Sequence, residues 1–104
     1  MIRKACKMKV YKNCYDEYKK RHDEIWSEMK EELKKHGYDN YSIFLDEETG
    51  YLFSYVEARD EKSYNEMANT EICQKWWKYM KDIMETNEDS SPKSVDLKKI
   101  FYLP

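Results

Sequence analysis

Apolar and polar residues alternate near the start of the chain. Cys6, Met8 and Val10 interleave with Lys7 and Lys9, a period-2 pattern that predicts a half-buried strand over residues 2–11. Asn13 follows as a helix-capping side chain. Tyr15, Tyr18, His22, Ile25, Trp26, Met29 and Leu33 then recur at spacings of three and four, the apolar stripe of an amphipathic helix of about six turns. Lys34, Lys35 and His36 put cations in its last turn, where they suit the helix dipole, and Gly37 ends it. Tyr41, Ile43 and Leu45 alternate again, as do Tyr51, Phe53 and Tyr55, and the turn from Asp46 to Gly50 makes these runs an antiparallel hairpin. Asp60 and Thr70 are N-cap candidates for helical stripes through Tyr64, Met67 and Ala68 and through Ile72, Trp76, Met80, Ile83 and Met84. One kinked helix or two short ones are expected over 61–85. Residues 86–94 form a polar loop, and a last strand is expected from Val95 to Leu103. There the run Ile100-Phe101-Tyr102-Leu103 departs from alternation, through a bulge or because a subunit contact buries both faces.

The order β-α-β-β-α-β gives an α+β fold: a four-stranded antiparallel sheet with its helices on one face. The other face is left uncovered, and a second copy can cover it, two-fold homodimers being the commonest oligomers. No repeat or linker interrupts the 104 residues, so residues 1–104 read as one domain.

Composition narrows the function classes. Nineteen basic and 21 acidic residues are intermixed, for a net charge of −2, and Lys19-Lys20-Arg21 runs straight into Asp23-Glu24. No basic face is set apart for a nucleic acid. No apolar run approaches the ~20 residues that span a bilayer, and the opening Met1-Ile2-Arg3-Lys4-Ala5-Cys6 lacks a secretory h-region. Cys6, Cys14 and Cys73 lack metal-site spacing and fit reduced thiols, so a cytoplasmic protein without a metal is expected.

His22 is the main candidate for chemistry. It sits on the apolar stripe, with Tyr18 and Trp26 four residues to either side, and imidazole suits proton transfer near neutrality. A lone histidine on a core stripe also serves as a hydrogen-bonded structural residue, and the residues alone leave both readings open. His36 is explained by its helix end. Trp76-Trp77 can direct one indole to the core and the other to a groove, since helix neighbours point about 100° apart. Ten Tyr and three Trp supply apolar bodies with polar tips for a pocket, an interface or a core. Only Gly37 and Gly50 are glycines, and no phosphate loop or nucleophile elbow is present.

Several segments together resemble the L-rhamnose mutarotase family along essentially the whole chain. They are Met1-Ile2-Arg3-Lys4-Ala5, the stretch Tyr18-x-x-x-His22-x-x-Ile25-Trp26, His36-Gly37, Asn40-Tyr41-Ser42-Ile43, Cys73-Gln74-Lys75-Trp76-Trp77-Lys78-Tyr79-Met80 and the terminal Phe101-Tyr102-Leu103-Pro104. The family often has proline after its histidine and after the Ile-Trp pair. Here Asp23-Glu24 and Ser27 stand there, so a helix more regular at its middle is expected. Residues 47–66 diverge from the family. The resemblance implies ferredoxin-like subunits paired as a dimeric α/β-barrel. It also implies an isomerase that interconverts the α and β anomers of L-rhamnopyranose without a cofactor. His22 is then the proton donor, suited to protonating the ring oxygen, with the base unassigned, and Tyr18, Tyr41, Trp76 and Trp77 bind the sugar. The same scaffold hosts monooxygenases, and a sugar-binding module without catalysis is the other rival.

Overall fold

The computed structural model describes all 104 residues. Strand β1 (Ile2–Lys9) leads to helices α1 (Tyr15–Asp23) and α2 (Ser27–Lys35). The hairpin of β2 (Tyr38–Leu45) and β3 (Tyr51–Ala58) follows, then helices α3 (Glu61–Glu66) and α4 (Glu71–Met80) and a short β4 (Val95–Asp96). The sheet order is β2-β3-β1-β4 with every neighbour antiparallel, the ferredoxin-like arrangement. Alternation decides which side is covered. Met8 of β1 faces Leu52 of β3 across the ladder, and both enter one core with Met29 of α2, Trp76 and Met80 of α4, and Met67. The opposite face keeps the cross-strand pair Phe44 and Phe53, 66% and 37% exposed.

Most local signals act as expected. Asp60 accepts from the Ser63 amide at 2.7 Å and Thr70 from the Cys73 amide at 3.3 Å, so two capped helices occupy the second helical region. Gly37 takes φ +79°, and a Cβ there would lie 2.6 Å from Arg59 Cβ, so its lack of a side chain is required twice over.

Three expectations fail. Asn13 caps nothing: residues Lys12–Cys14 form a 3-10 turn, and Cys14 stands at the N-cap of α1 without a side-chain bond. The long first helix is two helices, although no proline divides them. Trp26 adopts φ −59°, ψ 139°, which turns the chain and carries its indole away from the His22 row toward α4. Tertiary packing of one large ring outweighs helix propensity, which differs among ordinary residues by under ~0.7 kcal/mol. The last strand pairs over Val95–Asp96 only. Beyond Leu97, whose amide still donates to the Ala5 carbonyl, side chains hold the tail: Arg3 Nη2 donates to the Tyr102 hydroxyl at 2.8 Å and the guanidinium covers the Tyr102 ring.

Candidate active site

The break after α1 puts His22 in the last turn of that helix. His22 Nδ1 lies 3.0 Å from the Tyr18 carbonyl oxygen. A carbonyl only accepts, so Nδ1 carries the hydrogen and Nε2 of the neutral ring holds a lone pair. The imidazole stacks on the Tyr18 ring at 4.3 Å between centroids and meets the edge of Trp76 at 5.4 Å with an interplanar angle of 89°. Burial pushes the His22 pKa below its ordinary value, against the hydrogen bond to Tyr18 and the nearby Asp23 carboxylate. At neutral pH the ring is therefore neutral with Nε2 unprotonated.

Tyr18 is only 8% exposed, yet its hydroxyl makes no hydrogen bond within the chain. It is also not sealed from solvent, since Glu32 Oε2 is the one sealed side-chain polar atom without a partner. Desolvation, then the proximity of Tyr41 and Cys6, raises its pKa and keeps the phenol protonated. Cys6 and Ser54 form the adjacent floor of the sheet, Sγ to Oγ 2.9 Å.

A β-bulge supplies the tyrosines opposite. Tyr38 pairs with Ala58 and Asp39 with Glu57, but the next pair is Ser42 with Tyr55, so Asn40 and Tyr41 together oppose Val56. Asn40 absorbs the extra residue at φ 46°, a left-handed conformation that asparagine tolerates. In a regular strand Tyr38 and Tyr41, three residues apart, would face opposite sides. With the bulge both face inward, their rings 6.0 Å apart. Tyr38 donates to the Tyr64 carbonyl at 3.0 Å and stacks on the Tyr64 ring. Tyr41 is 46% exposed, and desolvation and the neighbouring Cys6, Tyr64 and Cys73 raise its hydroxyl pKa.

The structure thus brings Tyr18, His22 and Trp76 into one cluster, with Tyr41 beside it. Trp77 is half-buried and packs against the core. Trp26 does not continue the His22 row. It meets Trp76 edge-on at 5.1 Å and Tyr79 at 5.3 Å. Tyr79, three residues after Trp76 on the same helix face, lies within the Cys73–Met80 segment but carries no site role in the sequence reading, although its spacing marks it. No group of three His, Cys, Asp or Glu side chains is assembled to hold a metal ion.

The sequence model of the L-rhamnose mutarotase family matches residues 3–103. The chain is 64% identical over 103 residues to the L-rhamnose mutarotase of Shouchella clausii, covering 99% of each. It belongs to the L-rhamnose mutarotase family. A crystallised L-rhamnose mutarotase of Formosa agariphila superposes over all of both chains with a TM-score of 0.92 at 44% identity. An antibiotic biosynthesis monooxygenase shares the fold at a TM-score of 0.64 over 96% of this chain, but with 13% identity it carries no information on activity. Within the L-rhamnose mutarotase family, then, this chain presents a neutral, tautomer-fixed imidazole held between a phenol and an indole.

Proposed function

We propose that the chain interconverts the α and β anomers of L-rhamnopyranose, with proton exchange at His22 Nε2 and with Tyr18, Tyr41, Trp76 and Trp77 holding the sugar. The chain is then an isomerase acting on a carbohydrate. Opening the pyranose removes a proton from the anomeric hydroxyl and delivers one to the ring oxygen, and closure reverses both transfers. The observation that carries the reading is the fixed tautomer. Nδ1 is committed to the Tyr18 carbonyl, so only Nε2 can exchange a proton. Because burial lowers the His22 pKa, the populated form accepts first. Nε2 takes the anomeric proton as the ring opens, and the imidazolium donates it back to the former carbonyl oxygen on closure. The donor role implied by the family is the second half of this cycle, and the ring oxygen is served by another group. Tyr18, whose phenol is protonated in the resting site, gives its proton to that oxygen as the C1–O5 bond breaks and takes it back when the oxygen attacks the aldehyde carbon on closure. General acid and base groups of this kind contribute roughly 10²–10⁴ each.

Trp76 and Tyr18 offer apolar faces to the sugar's C–H groups and its methyl. Recognition of one methyl is worth about 1–3 kcal/mol, so related sugars are discriminated modestly. The reading takes residues 1–104 as one catalytic domain of a cytoplasmic homodimer. The exposed Phe44 and Phe53, and a tail whose Ile100, Phe101 and Leu103 are among the most exposed apolar residues, support a second copy over the outer sheet face. No helix is long and apolar enough to cross a membrane. The test is NMR exchange between the anomers of L-rhamnose, with L-fucose as a control. Accelerated exchange of rhamnose supports the reading; binding without acceleration refutes it.

A further inference from the structure

Arg21, the residue before His22, is built into the fold more completely than any other cation. Its side chain is 11% exposed and every arm is used. Nε donates to Glu17 at 2.8 Å, Nη1 to the Tyr79 carbonyl at 2.6 Å and to Asp82 Oδ1 at 2.9 Å, and Nη2 to Asp82 Oδ2 at 3.3 Å. The guanidinium also lies over the Tyr79 ring, 4.3 Å from its centroid. Tyr79 in turn touches two indoles, Trp26 at 5.3 Å and Trp76 at 5.6 Å, and Trp76 meets the His22 ring edge at 5.4 Å. A continuous column therefore runs from Arg21 through Tyr79 and the paired indoles back to the imidazole of the next residue. It crosses from α1 to the end of α4 and returns.

We propose that Arg21 is a positioning residue of the site: braced on α1 by Glu17, it clamps the Tyr79 carbonyl and Asp82 at the end of α4 and so sets Tyr79, and through Tyr79 the Trp76 edge that fixes the His22 ring. The proposal rests on the His22 reading above. A planar fork can hold Glu17, Asp82 and the Tyr79 carbonyl at once while covering a ring, whereas an ammonium acts as a point charge. The burial that lowers the His22 pKa is partly this indole wall, so loosening the column admits water to the ring.

The test compares Arg21→Met and Arg21→Lys with the parent protein. Three readouts are taken: kcat and KM for anomer exchange, the NMR titration of His22, and the ring-current shift of its carbon-bound protons. In both variants kcat is expected to fall at least about tenfold, the factor set by roughly 1.4 kcal/mol of transition-state misplacement, with KM changed much less. The His22 pKa is expected to move up toward its ordinary value and the ring-current shift to shrink. Folded variants with the parent's kcat and an unmoved His22 titration overturn the proposal, as does full rescue by Arg21→Lys. If Arg21→Met does not fold, Tyr79→Leu removes only the ring between guanidinium and indoles. A drop in kcat with a moved His22 signal then supports the proposal, and unchanged values overturn it. The His22 spectra are recorded without sugar, so they decide on the column even where His22→Ala shows the catalytic reading to be wrong.

Discussion

Asn40 offers the sharpest check on how this sequence builds its sugar wall. The bulge that turns both Tyr38 and Tyr41 inward depends on one residue at φ 46°. Replacing Asn40 by Val asks a β-branched residue to hold a left-handed conformation, which costs about 1–2 kcal/mol. It also removes the solvent-exposed bond from Asn40 Nδ2 to Glu57 Oε1 at 3.0 Å. At about 4–8 °C per kcal/mol for a domain near this size, the backbone cost alone lowers Tm by roughly 4–16 °C. Asn40→Gly loses the side-chain bond but keeps the conformation, so its Tm should drop far less. Calorimetry on the two variants separates the backbone contribution from the hydrogen bond. The strain in Asn40→Val is relieved if the bulge migrates and rotates Tyr41, so KM for anomer exchange should rise more than kcat falls. Equal melting temperatures for the two variants, with KM unchanged in both, would refute the reasoning.

Other expectations follow from the site and the sheet. Tyr18→Phe removes a hydroxyl without an internal partner, so Tm should hold while kcat/KM drops by roughly 10²–10³ if the phenol meets charge developing on the ring oxygen. A loss below about threefold would reduce Tyr18 to one weak binding contact. The lowered pKa of His22 makes kcat/KM rise with pH through a value below about 6.5 and level off above it. A profile falling over that range would make the imidazolium the working form. The double variant Phe44→Asp, Phe53→Asp places carboxylates on the outer sheet face and should sediment as a monomer where the parent sediments as a dimer. A parent that sediments as a monomer contradicts the homodimer.

Period and punctuation carried most of the fold. The alternations around Met8 and Ile43, the caps Asp60 and Thr70 and the terminator Gly37 are local features, and local chemistry decides them. The alternation of Tyr51, Phe53 and Tyr55 does mark strand β3, but it marks the outer face: Leu52, Ser54 and Val56 between them are the buried set. The misses share a cause. The division of the first helix at Trp26, the bulge at Asn40 and the shortened β4 are each settled by a partner distant in sequence: Trp76, the β3 ladder and Arg3. No window of neighbouring residues contains those partners. The site shows the same split. His22, Tyr18 and Trp76 were found because motif and stripe both mark them, and they do converge. Tyr38 was hidden because alternation counted from Tyr41 puts it on the wrong face. The lone-pair state of Nε2 follows from a carbonyl contact and burial that no spacing encodes.

The most direct measurement is saturation-transfer NMR of L-rhamnose anomer exchange on His22→Ala and His22→Gln, beside circular dichroism to show that each is folded. Proton exchange at Nε2 requires that both variants lose most of the catalysed rate, roughly 10²-fold or more, while glutamine preserves the fold at least as well as alanine. Parent-like exchange in a folded His22→Ala protein would place the chemistry elsewhere.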